Sequence, residues 1–192
     1  MNLKYLQGYP QELLARVQDL IDTGRLAAHV EQRHPERHAV RSERALYDYV
    51  CGLKARHMKS APPIAKVAWD PRLQIVKNAL GTHTAISRVQ GGQLKAKREI
   101  RIAALFKDAS ADFLRMIVVH ELAHLKEPAH DKAFYALCCH MEPDYHALEF
   151  DLRLWLTALE LQAQAPSGGQ PRGAESASSS ALKSGAQVPF FS

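Results

Sequence analysis

Residues 118–130 read Val118-Val119-His120-Glu121-Leu122-Ala123-His124-Leu125-Lys126-Glu127-Pro128-Ala129-His130, and this stretch decides how the chain is read. His120, Glu121 and His124 fit the pattern HExxH. Two histidines four apart on a helix stand one turn apart on the same face, so both imidazoles reach a single ion. Glu121 lies about 100° around the helix from His120. It can approach a metal-held water without being forced into the coordination shell. Such a set points to Zn2+, which takes imidazole nitrogens and in catalytic sites draws three ligands from the protein. His130 comes six residues after His124, too far for the same face of a straight helix. Pro128 disfavours helix at Glu127, so the helix is predicted to end there and the chain to fold back, bringing His130 to the ion. Glu142, eighteen residues after His124, is the rival third ligand, with His140 and His146 behind it.

The chemistry that needs these residues is hydrolysis. A zinc ion brings the pKa of water from about 15.7 towards 7. Glu121 then takes the proton as the water attacks, and returns it to the leaving group. A peptide or protein is the first substrate class this suggests. A phosphoanhydride is the alternative, and the basic run KAKR, Lys95 to Arg98, could hold a phosphate. KAKR also reads simply as a solvated strand end. A bare HExxH also occurs in helices by chance. Here it is joined by the apolar run Met116 to Val119, a helix-ending proline and a third histidine. A histidine-rich face buried without partners would be costly.

Working outward, the helix carrying the motif is predicted over Asp108 to Glu127, with Asp108 or Ser110 as cap. Asp131 is a cap for the next helix, and Pro143 sits near the start of a long third one. Before these, the pattern is that of a sheet. Ile64 to Trp69 alternates, and QGGQ between Thr82–Val89 and Leu94–Phe106 reads as a hairpin turn. The opening is helical: one helix follows Pro10 and stops at Gly24, and another follows Ser42. Between them EQRHPERH reads as a polar connection, and His29, His34 and His38 as members of a solvated segment. The fold class is therefore α+β, with a short antiparallel or mixed sheet, a metal-binding helix and an N-terminal helical extension. Residues 1–60 form the helical region, 61–165 the catalytic domain packed with it, and 166–192 a disordered tail. That tail is rich in Ser, Gly, Ala and Pro and lacks apolar periodicity.

Hydrophobic residues make up 46% and charged residues 23% of the 192, ordinary for a soluble globular protein. No apolar run is long enough to cross a membrane, and the start has no signal-peptide core. Three cysteines, Cys51 and the adjacent Cys138 and Cys139, argue against a disulfide framework. A cytoplasmic protein is expected. The net charge of +5 and pI near 9.2 leave a nucleic-acid-associated role open, but no DNA-binding motif supports it.

VVHELAHL, then His130, then Phe134 in HDKAFYALCCHMEPDY resemble the YgjP-like metallopeptidase family, a minimal zincin group. More distantly they are similar to the WLM and SprT-like proteases. The resemblance is specific over about residues 80 to 160. It implies a small zincin-like domain in which His120, His124 and His130 bind zinc, Glu121 is the catalytic base, and Phe134 points inward. A strand over about Glu99 to Phe106 would border the cleft and could pair with an extended substrate. Family members often carry a Trp-Gly-Ser-Cys-Ser-like segment, where this chain has Leu80-Gly81-Thr82-His83-Thr84. His83 reads as a solvent-facing strand residue, or else as an oxyanion donor in the cleft. Tyr145 reads as helix-start packing, or else as such a donor. Trp69 and Trp155 read as core.

Overall fold

The motif helix forms the centre of the molecule because its sequence is apolar on nearly every side. In the structure, a computed structural model that describes residues 3–73 and 98–164, this helix runs Ala111–Ala123. Phe113, Leu114, Met116, Ile117, Val118, Val119, His120, Leu122 and Ala123 are all buried along it. A helix hydrophobic all round must be covered on all sides, and here other helices and a small sheet cover it.

Three helices come first: α1 (Gln11–Asp22), α2 (Leu26–Arg33) and α3 (Glu43–His57). α1 follows Pro10, and Gly24 just beyond it has φ 67, a left-handed turn that glycine adopts without steric cost. Ser42 caps α3 by accepting from the Ala45 amide. α2 replaces the expected polar connection. Its apolar stripe is only Leu26 and Val30, too short to stand out in sequence, but both residues reach the core. His34, at the end of α2, is 7% exposed, so the reading of that histidine as solvated is corrected.

Strands β1 (Lys66–Asp70) and β2 (Glu99–Ala103) pair in parallel, with Lys66 opposite Glu99 and Asp70 opposite Ala103. Ile100, Ile102 and Ala103 face the core, while Arg101 pairs with Asp70 and Glu99 at the edge. The strand is shorter than expected. After Ala103 the chain turns into a 3-10 helix over Ala104–Asp108, which buries Phe106. The QGGQ hairpin, His83, Lys95 to Lys97 and the tail from 166 lie outside the described residues.

Ser110 accepts from the Phe113 amide and starts the central helix, α4 (Ala111–Ala123). Asp131 starts α5 (Lys132–Met141), and α6 (Tyr145–Gln164) closes the described chain. One buried cluster runs from Tyr5 to Ala158, through both sides of the boundary drawn at residue 60. Trp69 is 7% exposed, and Trp155 packs in tilted contact with Phe106 and Phe113 at ring distances of 5.9 and 5.6 Å. No helix among the described residues is long and apolar enough to cross a membrane.

Candidate metal centre

α4 ends at Ala123, four residues earlier than Pro128 suggested. The chain then tightens. The Leu125 amide donates to Leu122 at 3.0 Å, and both Lys126 and Glu127 donate to Ala123 at 3.0 Å. Helical hydrogen bonding thus persists to Glu127 although the helix proper has stopped. Pro128 follows these turns and does not itself mark the end of the helix. The Glu127 carbonyl, no longer part of a helical ladder, accepts from His124 Nδ1 at 2.9 Å.

The chain then returns at His130. Next to it, Asp131 accepts from the Ala133 and Phe134 amides at 2.9 and 3.0 Å. Such a cap stabilises a helix start by about 1 kcal/mol. It also fixes the backbone beside His130 and launches the helix that carries Phe134. Phe134 is fully buried, and its ring lies 5.0, 4.3 and 4.7 Å from the rings of His120, His124 and His130. One phenyl ring therefore serves as the floor for all three imidazoles.

The three Nε2 atoms converge. His124 lies 3.2 Å from His120 and 3.1 Å from His130, and His130 lies 3.2 Å from His120. These spacings fit a bound ion. With metal–nitrogen distances of about 2.0–2.1 Å, nitrogens 3.2 Å apart subtend roughly 100° at the ion, near the tetrahedral angle. The tautomers fit as well. A carbonyl oxygen only accepts, so His124 Nδ1 donates to Glu127 and the neutral ring presents its Nε2 lone pair to the cluster. Among the described residues, no other group of three His, Cys, Asp or Glu side chains meets in this way.

The cluster is graded in exposure: His120 is buried, His124 half-buried and His130 exposed. One side of the site is thus anchored in the core while the other opens to solvent. Glu121, beside His120, is pushed up to about 7 by burial. Desolvation disfavours its charged form, and a nearby dication would act in the opposite sense.

The other sequence candidates lie elsewhere. Glu142 is 3% exposed, but its carboxylate pairs with Arg115 at 2.6 Å and accepts from the Asp144 amide at 3.3 Å. His140 and His146 are both exposed and outside the cluster, and His146 Nδ1 is 3.9 Å from Glu149. Tyr145 is fully buried, with its hydroxyl 2.7 Å from His120 Nδ1. Sequence reasoning missed that contact. The two residues are twenty-five apart on different helices, and no local spacing links them.

A family model described as YgjP-like, metallopeptidase domain matches residues 22–154. The chain belongs to the YgjP-like family. A curated relative from Escherichia coli (strain K12), named UTP pyrophosphatase, is 59% identical over 160 residues, covering 83% of this chain and 96% of the relative. No solved structure matches. Family membership and the histidine cluster together make the chain a hydrolase with a metal-capable centre.

Proposed function

We propose that this protein is a zinc-dependent nucleotide pyrophosphatase, splitting UTP or a close analogue into a nucleoside monophosphate and pyrophosphate. The observation that carries the choice of substrate is the relative named UTP pyrophosphatase, at 59% identity over nearly its whole length. The histidine cluster is equally suited to phosphoryl and acyl chemistry, so it does not choose between them. Peptide chemistry, the first expectation from the motif, becomes the second reading. The metallopeptidase description of the family supports it.

In this proposal His120, His124 and His130 hold the ion and Glu121 is the general base. Bound zinc would acidify a water and draw charge from a phosphoryl oxygen. Glu121 accepts the proton of that water as the water oxygen bonds to the α-phosphorus. The bond from that phosphorus to the α–β bridging oxygen breaks, and pyrophosphate departs with the bridging oxygen. Glu121 stands one residue from a cluster histidine, the position a general base for that water needs. His130, the exposed member of the cluster, marks the side from which a polyanion could approach. A cytoplasmic location is also proposed, supported by the three free cysteines.

The test is pyrophosphate release from UTP by zinc-loaded protein, beside a peptide library under the same conditions. Release by wild type, and its loss in Glu121→Gln with zinc still bound, is the expected result. Peptide cleavage dependent on Glu121, with UTP left intact, would overturn the first reading in favour of the second.

A further inference from the structure

Tyr145 opens α6 and is fully buried against the motif helix. Its ring lies nearly parallel to that of His120, at 12° and 6.4 Å between centroids. Its hydroxyl oxygen is 2.7 Å from His120 Nδ1. The side chain of Cys138, also fully buried, is a close neighbour of the same tyrosine. Burial pushes the Cys138 thiol up to about 12, so the group facing the phenol is a neutral SH. Cys138 on α5, Tyr145 on α6 and His120 on α4 thus lie side by side between the core and the cluster.

We propose that Tyr145 is a positioning residue of the metal centre. Its hydroxyl accepts the Nδ1–H of His120 and holds that ring in the tautomer and orientation that turn Nε2 toward His124 and His130. The inference rests on the reading that the three histidines hold a metal, and is independent of which substrate is cleaved.

A phenyl ring at 145 would pack as a tyrosine ring does, so the hydroxyl has to be accounted for separately. In the metal-free protein the single proton of a neutral His120 can sit on either nitrogen. On Nε2 it would face two other imidazole nitrogens, each 3.2 Å away. Loss of the hydroxyl is then relieved by moving the proton. With an ion on Nε2, the proton has to be on Nδ1, inside an interface where His120 is only 2% exposed. A buried donor deprived of its acceptor is costly. The hydroxyl therefore matters mainly in the metal-loaded state, which separates positioning from packing. His124 offers a contrast, because its Nδ1 partner is the Glu127 carbonyl, which no side-chain substitution removes.

The experiment compares wild type, Tyr145→Phe and Tyr135→Phe, each stripped of metal and titrated with zinc against a chromophoric chelator. Tyr135 is a control, since its ring stands 6.5 Å from that of His130. Removing the partner of a metal-bound histidine typically weakens metal binding about 10- to 100-fold. That loss is expected for Tyr145→Phe, with the melting temperature of the metal-free protein nearly unchanged and Tyr135→Phe behaving as wild type. Equal zinc affinity in Tyr145→Phe and wild type would overturn the proposal. So would an equal loss of melting temperature with and without zinc, which is the mark of packing alone. Nitrogen-15 spectra of the zinc-loaded wild type give a second readout that needs no variant. A proton on His120 Nδ1 is expected, and one on Nε2 would refute the assignment. If the wild type takes up no zinc, the metal-centre reading fails, and this inference with it.

Discussion

A single buried histidine and a cluster of three lie toward opposite ends of the central helix, and they are opposites in chemistry. His34 meets carboxylates on both sides: Nδ1 is 2.9 Å from Asp112 and Nε2 is 2.9 Å from Asp151. Arg33 joins at 2.8 Å from the same Asp151 oxygen. Both ring nitrogens are thus occupied by carboxylates, and neither is turned toward a shared point with another histidine. At the other end of α4, the partners of His120 and His124 are a phenol and a backbone carbonyl, and the Nε2 atoms turn toward one another. The first set ties α2, α4 and α6 together. The second could hold a metal ion. The difference lies in what surrounds each ring, since the residue type is the same.

The largest effect expected is at the cluster. Replacing His120 or His124 by Ala should reduce bound zinc from one equivalent to near none, read by elemental analysis of dialysed protein. Replacing His34 by Gln should leave zinc content intact. If zinc is lost with His34 and kept without His120, the contrast between the two sets is wrong. Next in size is Glu121→Gln, for which turnover should fall about 10²- to 10⁴-fold, the usual contribution of a general base, with zinc retained. Unchanged turnover would remove Glu121 from its role.

His34→Gln should instead appear in stability. It leaves Asp151, whose side chain is 3% exposed, with Arg33 as its remaining charged neighbour. Breaking a buried pair costs about 3–5 kcal/mol; the surviving Arg33 contact should hold the loss to roughly 2–3 kcal/mol. Urea melts of metal-free wild type and variant would measure it, and a loss near zero would show that the network is dispensable.

These contrasts also explain what was legible in the sequence. His120, Glu121 and His124 are readable because helical periodicity converts their spacing directly into geometry. His130 is readable through Pro128, a local breaker, although the helix stops earlier, at Ala123. The partners that give each ring its character are not local. Tyr145 is twenty-five residues from His120, and Asp112 and Asp151 are seventy-eight and one hundred and seventeen from His34. Only packing of the helices brings them together. α2 escaped for a related reason, since eight residues with two buried positions carry too little periodicity. The parallel pairing of β1 and β2 depends on the path between them, which no alternation pattern within a strand records.

The smallest effect expected concerns pH, and it tests whether burial of Glu121 penalises the folded state. Its pKa rises from an ordinary 4.5 to about 7 in the folded, metal-free chain. The folded state therefore holds this proton more tightly than the unfolded state does. Stability associated with the protonated carboxyl is fully present below about 4.5 and is lost as pH rises to about 7. A glutamine at 121 does not titrate and escapes this loss. Between pH 5 and 8 the metal-free Glu121→Gln protein should thus gain on the order of 2 kcal/mol over wild type, at 1.36 kcal/mol per pKa unit. Denaturant melts in the presence of a chelator would show the gap widening with pH. Zinc should narrow it at pH 8, because a dication beside the carboxylate offsets the desolvation that raised its pKa. A gap that stays flat from pH 5 to 8 would mean that water reaches Glu121 in the metal-free fold, and that the core end of the cluster is more open than its burial implies.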